Sequence, residues 1–525
     1  MRIKQFACGL LVIGAGCTGL DGAPDPTAAP NGSSPDDNGG YVADLGAPAA
    51  TPIPVSPPAT PGGTWVQLAN TPISQAGFQL LLTDGTVIIS EVSTQRWWRL
   101  TPSITGSYLN GTWSQIAQMP AGYAPLYFGA GVLPDGRVMI EGGEYINNSP
   151  VWSTKGAIYN PVTNTWAAVT PPAGWSTIGD ASATVLGDGT FMLSDCCTTR
   201  SALLNPTTMA WTATGTGKQG SSNDEESWTR LWDGTILTVD CNNTVNLLAS
   251  EIYTPSTGRW TLGPNTANKT CDINPDGSGS HENGPAILRY DGNVIAIGGT
   301  GHNDVYNPTA HTWTAVADSP IVGGRQLDSA DGPGVLLPNG NVLLVMSPGI
   351  FQIDSHFLEW DGIRFTEVAR PPNAAGNSSY HQNFMLLPSG EVLLTDFSSD
   401  IEMYRPTVRT PPAGVAPVIN SLSSLTLVHG TTASMSAQRM NGLSEAVAYG
   451  DDAQPATNYP IVRITMNSNA HVFYARTFNH STRAIGPSVT GTTSFAIPAG
   501  IERGAARIQL IANGIPSAAV AVTIM

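Results

Sequence analysis

The chain is poor in charge, in basic residues, in cysteine and in long apolar runs, and each shortage excludes something. Charged side chains make up 12% of 525 residues, and 39 acidic groups face only 23 basic ones, for a formal net charge of −16. Nucleic-acid partners need a cationic footprint, so a phosphate reader is excluded. Beyond the first sixteen residues no run is long and apolar enough to span a bilayer, which excludes a transmembrane helix in the mature protein. Glycine (57) and proline (41) are instead abundant, which disfavours long helices and favours turn-rich, all-β structure.

The N-terminus reads as an export signal. Arg2 and Lys4 precede an apolar stretch through Ile13, and Gly14-Ala15-Gly16 stands before Cys17, so residues 1–17 form a signal peptide with a lipobox-like end. The expectation is a lipid anchor on Cys17 and a place on the bacterial cell surface or facing the periplasm, with plain secretion as the alternative. Residues 18–63 are rich in Pro, Ala and Gly without apolar period and are expected to be a disordered tether. In an exported chain Cys196, Cys197, Cys241 and Cys271 are expected as disulfides, with the adjacent pair reaching separately to Cys241 and Cys271.

One phrase recurs at intervals of about fifty residues: an apolar run, a two-residue turn, a second apolar run. The turns are Asp84-Gly85, Asp135-Gly136, Asp188-Gly189, Asp233-Gly234, Asp291-Gly292, Asn339-Gly340 and Ser389-Gly390. Each predicts a β-hairpin. An aromatic marker repeats alongside them, at Trp65, Trp113, Trp166, Trp211, Trp260, Trp313 and Phe365. Lone hairpins cannot bury their faces but a ring of four-stranded blades can, so residues 64–408 predict a seven-bladed Kelch-type β-propeller. Trp65 precedes the first turn, which predicts that Trp65 to Leu68 completes the last blade and closes the ring. After a Pro-rich linker, residues 415–525 alternate in short runs and predict an immunoglobulin-like β-sandwich.

Residues at equal offset before each turn should ring one mouth of the channel. Eight positions back stand Ala76, Tyr127, Asp180, Glu225, Asn283, Asp331 and His381, with Asp224, Glu226, His281, Glu282, Asp328 and Tyr380 beside them. Clustered carboxylates, phenols and imidazoles suit a metal or polyol site. Separately, Asp272, Asn274 and Asp276 with Gly277 follow the spacing of a calcium loop, although Asn283 stands where the last carboxylate belongs. Trp97, Trp98, Trp152, Trp175 and Trp228 are candidates for stacking on sugar rings.

From Trp65 to Met525 the chain resembles the galactose oxidase and glyoxal oxidase family of copper radical oxidases. The resemblance rests on Tyr127 ahead of Leu133-Pro134-Asp135-Gly136, on Tyr380-His381 ahead of Leu386-Leu387-Pro388-Ser389-Gly390, and on Ala512-Asn513-Gly514-Ile515-Pro516-Ser517. It implies Tyr127, Tyr380 and His381 as catalytic copper ligands. The family's cysteine, joined to the radical tyrosine, has no counterpart at Ala76-Gly77, and Tyr145 falls near the place of its stacking Trp. Aligning Ala475 to Arg483 with the family's channel-threading hairpin puts Arg476 at the remaining copper position, with His480 nearby as a substitute.

Three readings follow. The first is a monomeric surface module binding an extracellular carbohydrate or polyol through Asp180, Glu225, Glu282, Asn283, Asp331 and Arg476, without the Cys–Tyr radical. The second is a divergent copper oxidase of primary alcohols or aldehydes, releasing peroxide and using Tyr127, Tyr380, His381 and His480. The third is a metal-independent hydrolase or lyase built on paired carboxylates and His381.

Overall fold

The computed structural model describes residues 58–525, and the expectations for the signal, Cys17 and most of the tether lie outside them. Seven antiparallel sheets follow one another, six of four strands and the sixth of five. The first contains Ala76–Leu81, Val87–Glu91, Trp97–Thr101 and Thr112–Gln115; the next five, starting at Gly129, Ala183, Thr229, Ala286 and Gly334, repeat that meander. In the seventh, Asn383–Leu386, Val392–Thr395 and Glu402–Pro406 receive Gly63–Gln67 as their outer strand, with Trp65 opposite Tyr404. The expected pairing of the chain's beginning with the repeat's end is therefore observed. Ordered structure also reaches further back than the expected tether boundary. The Asn341 amide donates to Ala59 O, and Gly62 N donates to the Glu359 carboxylate, so polar partners on the sixth sheet hold residues 59–62.

The hairpins have a different turn from the expected two-residue loop. Gly85 N donates to Leu82 O while Leu82 N donates to Thr86 O, and the same pair of bonds recurs at the other six turns. Only the glycine takes positive φ, from 76° at Gly85 to 94° at Gly340. This is a type I turn closed by a glycine bulge. The aspartate is kept because its carboxylate accepts the amide two residues on, as from Thr86, Arg137, Thr190 and Thr235.

First strands of neighbouring sheets lie side by side, with Ala76–Leu81 against Asn383–Leu386 and Ala286–Leu288 against Gly334–Leu336. Every strand of the sixth sheet is fully buried except the outermost, which is partly exposed. Two more sheets follow in the C-terminal part. One holds Val418–Leu422, Thr432–Gln438, Thr490–Ala496 and Thr477–Phe478; the other is built on Gly504–Ala512 and Ile461–Met466. They enclose Met435, Ile464, Phe495, Ile508 and Leu510. Among the described residues no helix is long and apolar enough to cross a membrane.

The cysteines pair differently from expectation. Cys241 bonds Cys271, with Cα atoms 5.4 Å apart, and Cys196 bonds Cys197. Cys196 follows the second strand of the third sheet as Cys241 follows that of the fourth, so the two stand on separate sheets. Cys241 instead meets the loop that leads into the fifth.

Candidate functional site

The offset rule gathers most of the predicted ring at the strand-start end of the sheets. Asp180 and Asp224 lie close enough for one carboxylate oxygen of each and Cys196 Sγ to fall within 4.8 Å of one another. Glu225, Glu282 and Asp331 make a second such group. Tyr127, Glu225 and Asp331 sit at φ of 51°, 56° and 46°, a region costly for side-chain-bearing residues and concentrated at functional sites. Asn283 is buried beneath them and accepts Asp331 N through its carbonyl.

The C-terminal part adds what the sequence did not suggest. Its residues 443–459 form a loop that runs between the first strands. Leu443 O accepts Trp232 Nε1 at the turn end, Val447 pairs with Val335, Ser227 Oγ donates to Tyr449 O, and Ala453 N reaches Phe128 O. Tyr459 Oη then donates to Leu81 O on the way back. The tip brings Tyr449, Asp451 and Asp452 among the ring carboxylates, and Tyr449 Oη donates to Tyr380 O. Gly450 is required there: a Cβ would stand 2.1 Å from Asp331 Oδ1.

Arg476 and His480 are elsewhere, contrary to the alignment drawn from sequence. Their hairpin lies on the turns of the first three sheets, where Thr477 N meets Thr83 O, His480 N meets Pro134 O and Arg483 N meets Gly187 O. Arg476 stacks on Phe478 and has Asp84 and Asp135 as its acidic neighbours, so it is neither at the copper position nor part of the ring site. His480 bonds Thr493 Oγ1, and burial pushes its imidazole well below the usual range.

Glu144 is a further member of the cluster, set beside Tyr127 by a bond from Glu144 N to Tyr127 O. Among the described residues no salt bridge reaches any of these carboxylates, whereas the neighbouring Glu226 and Glu251 share the buried amine of Lys218. Asp180 Oδ1, Glu282 Oε2, Asp331 Oδ1 and both oxygens of Asp452 are buried without a hydrogen-bond partner. Burial pushes Asp224 up to about 6 against the pull of His281, and burial with mutual repulsion raises Glu144 and Asp331 to about 7 and Glu225, Glu282, Asp451 and Asp452 well above their ordinary value.

Opposite the acids stands an arc of rings. Tyr145 and Tyr127 are 6.3 Å apart, Tyr127 and Phe397 6.2 Å, Phe397 and His381 5.4 Å, and His381 and Tyr380 4.0 Å. Phe351 continues the arc 5.3 Å from Tyr380. Burial lowers His381 to about 4, so it is neutral at pH 7. The expected stacking residues Trp97 and Trp228 are instead buried in the sheets against Trp166 and Trp260.

Two metal expectations meet different donors. A copper radical site needs a cysteine beside a tyrosine and a further imidazole, but all four described cysteines are in disulfides and His480 is at the far end. The donors do not fit that group. In the expected calcium loop, Asp272 accepts Ser280 N and Oγ while Asp276 accepts Ser278 N and Oγ, so each carboxylate closes its own turn. That segment is a set of Asx turns rather than a cage.

The sequence matches no protein-family profile, and no curated protein is similar to it. Among solved structures, the chain is similar to a fungal alcohol oxidase of the AA5 family in complex with copper, at 13% identity and a TM-score of 0.49, over 88% of this chain and 99% of that one. It is also similar to virginiamycin B lyase from Staphylococcus aureus, at 11% identity and a TM-score of 0.45, over 65% of this chain and 98% of that one.

Proposed function

We propose that the protein is an exported seven-bladed propeller with an immunoglobulin-like terminal domain, galactose-oxidase-like in plan, that binds an extracellular carbohydrate or polyol at the channel mouth without a Cys–Tyr radical. On this reading the seven sheets are the blades of residues 64–408, residues 415–525 are the sandwich, and Cys17 carries a lipid anchor. The observation that carries it is the two-sided mouth: an arc of six rings facing a cluster of protonatable carboxyls with orphaned oxygens. Sugar rings present apolar C–H faces that stack on aromatics, and hydroxyls that donate to carboxylates and accept from neutral carboxyls and phenols.

The test is calorimetric titration against a panel of neutral polysaccharides and polyols. Phe397→Ala, which breaks the middle of the arc, should weaken binding at least tenfold. A panel without any binder, or binding that is indifferent to Phe397→Ala, overturns the reading.

The copper oxidase reading is supported by one observation: Tyr127, Tyr380 and His381 meet through Phe397. Peroxide release from primary alcohols by the copper-loaded protein would establish it over the binding module.

A further inference from the structure

We propose that the channel mouth holds a hard divalent cation, Ca2+ or Mn2+, on Glu225, Glu282 and Asp331, with Asp452 of the channel loop bordering the same space. The first three offer oxygens within 4.8 Å of one another. That is the separation of ligands sharing one ion through bonds of about 2.3–2.6 Å. They come from the approaches to three successive blades, so no single turn explains their convergence.

Asp452 is the independent observation. It arrives on a different part of the chain, is 2% exposed, and neither of its oxygens has a hydrogen-bond partner. Asp331, one of the three, acts on it most strongly, ahead of Asp180 and Glu144, so it faces the edge of the same space. A buried carboxylate with neither a bond nor a counter-ion is among the most costly arrangements in a protein. The loop cannot relieve it by moving, because Val447 and Ala448 are hydrogen-bonded into the sixth blade and Gly450 is pressed on Asp331.

The fold itself shows how it treats acids meant to stay without an ion. Glu226, Asp240 and Glu251 form an equally tight group, and Lys218 fills it. No lysine or arginine forms a salt bridge to the mouth group among the described residues. An all-oxygen set selects hard ions over copper or zinc, and the nearby Cys196 is tied to Cys197 and offers no thiolate.

The experiment is titration of the chelator-treated protein with CaCl2 or MnCl2 alone, followed by calorimetry and equilibrium dialysis. One equivalent should bind. Glu225→Gln and Glu282→Gln, near-isosteric changes whose folding is checked by circular dichroism, should each weaken it tenfold or more, and Asp276→Asn should leave it unchanged. Absence of binding at millimolar ion, affinity that survives both mouth substitutions, or affinity lost in Asp276→Asn would overturn the proposal. Because no sugar is present, this outcome and that of the polyol titration are read separately.

Discussion

Asp331→Asn is a substitution in a crowded acidic cluster that should stabilise the ion-free protein. The residue sits at φ 46°, a conformation asparagine tolerates at least as well as aspartate, so the backbone is not disturbed. Burial raises the carboxyl from 3.8 to about 7. The folded state therefore keeps a proton that the unfolded chain releases above pH 4, and wild-type stability falls as pH rises from there to 7. Over that span the penalty is about 4 kcal/mol at 1.36 kcal/mol per pH unit. Asp331 is partly open to solvent, which halves this to about 2 kcal/mol. Unfolding entropy for a chain of 525 residues is about 1 kcal/mol per kelvin, so the variant should melt about 2 °C above wild type at pH 8 and level with it at pH 4. Differential scanning fluorimetry in EDTA across that range measures it. A variant less stable at pH 8, or a gap that does not change with pH, would refute the premise that these acids are held against their own repulsion.

Three further outcomes are expected. Cys241→Ser opens a cross-link of sequence separation 30 and should cost about 3–4 kcal/mol by calorimetry, while serine at both Cys196 and Cys197, which close no loop, should cost far less. Arg483→Met removes a buried guanidinium that donates to Val132 O and to Asn458 Oδ1 and stacks 4.9 Å from Tyr459. Its loss should destabilise by about 3 kcal/mol in denaturant titration and leave those acceptors bare. Gly450→Ala forces a methyl against Asp331 Oδ1 and should cost about 1–3 kcal/mol and abolish ion uptake by dialysis.

The repeat was legible because one physical rule, a positive-φ glycine behind a short polar residue, acts seven times, five of them behind an aspartate, and any misreading of a single turn is outvoted. Its detail was less so: the sequence Asp-Gly serves a two-residue turn and a glycine-bulged one alike. At the site, equal offset found Tyr127, Asp180, Glu225 and Asp331, since strands of one length in one ring must start at one level. The same rule could not find Tyr449, Asp451 and Asp452, which belong to no repeat. Their signal was local, in Gly450-Asp451-Asp452 and Gln454-Pro455, where the alternation of the terminal sheets lapses. The hairpin of Arg476 and His480 misled because the turn end of a ring offers carboxylates too, in Asp84 and Asp135. Phe397 and Phe351 follow strands outside the counted offset, and only tertiary packing puts their rings in line.

The closure by Gly63–Gln67 imposes an order of assembly. That strand is made before every other described strand and has no partner until Glu402–Pro406 follows, so for most of synthesis the last sheet is open on one side. The loop of residues 443–459 emerges later still, yet ends up inside the ring, where Thr184 and Arg230 N both bind Glu445. The wheel therefore either admits its axle through an unsealed rim or seals around it, and a chain cut after the seventh sheet would inherit a hollow hub lined with stranded polar groups. The two terminal sheets, through this loop, are in this sense a part of the ring that happens to be encoded last.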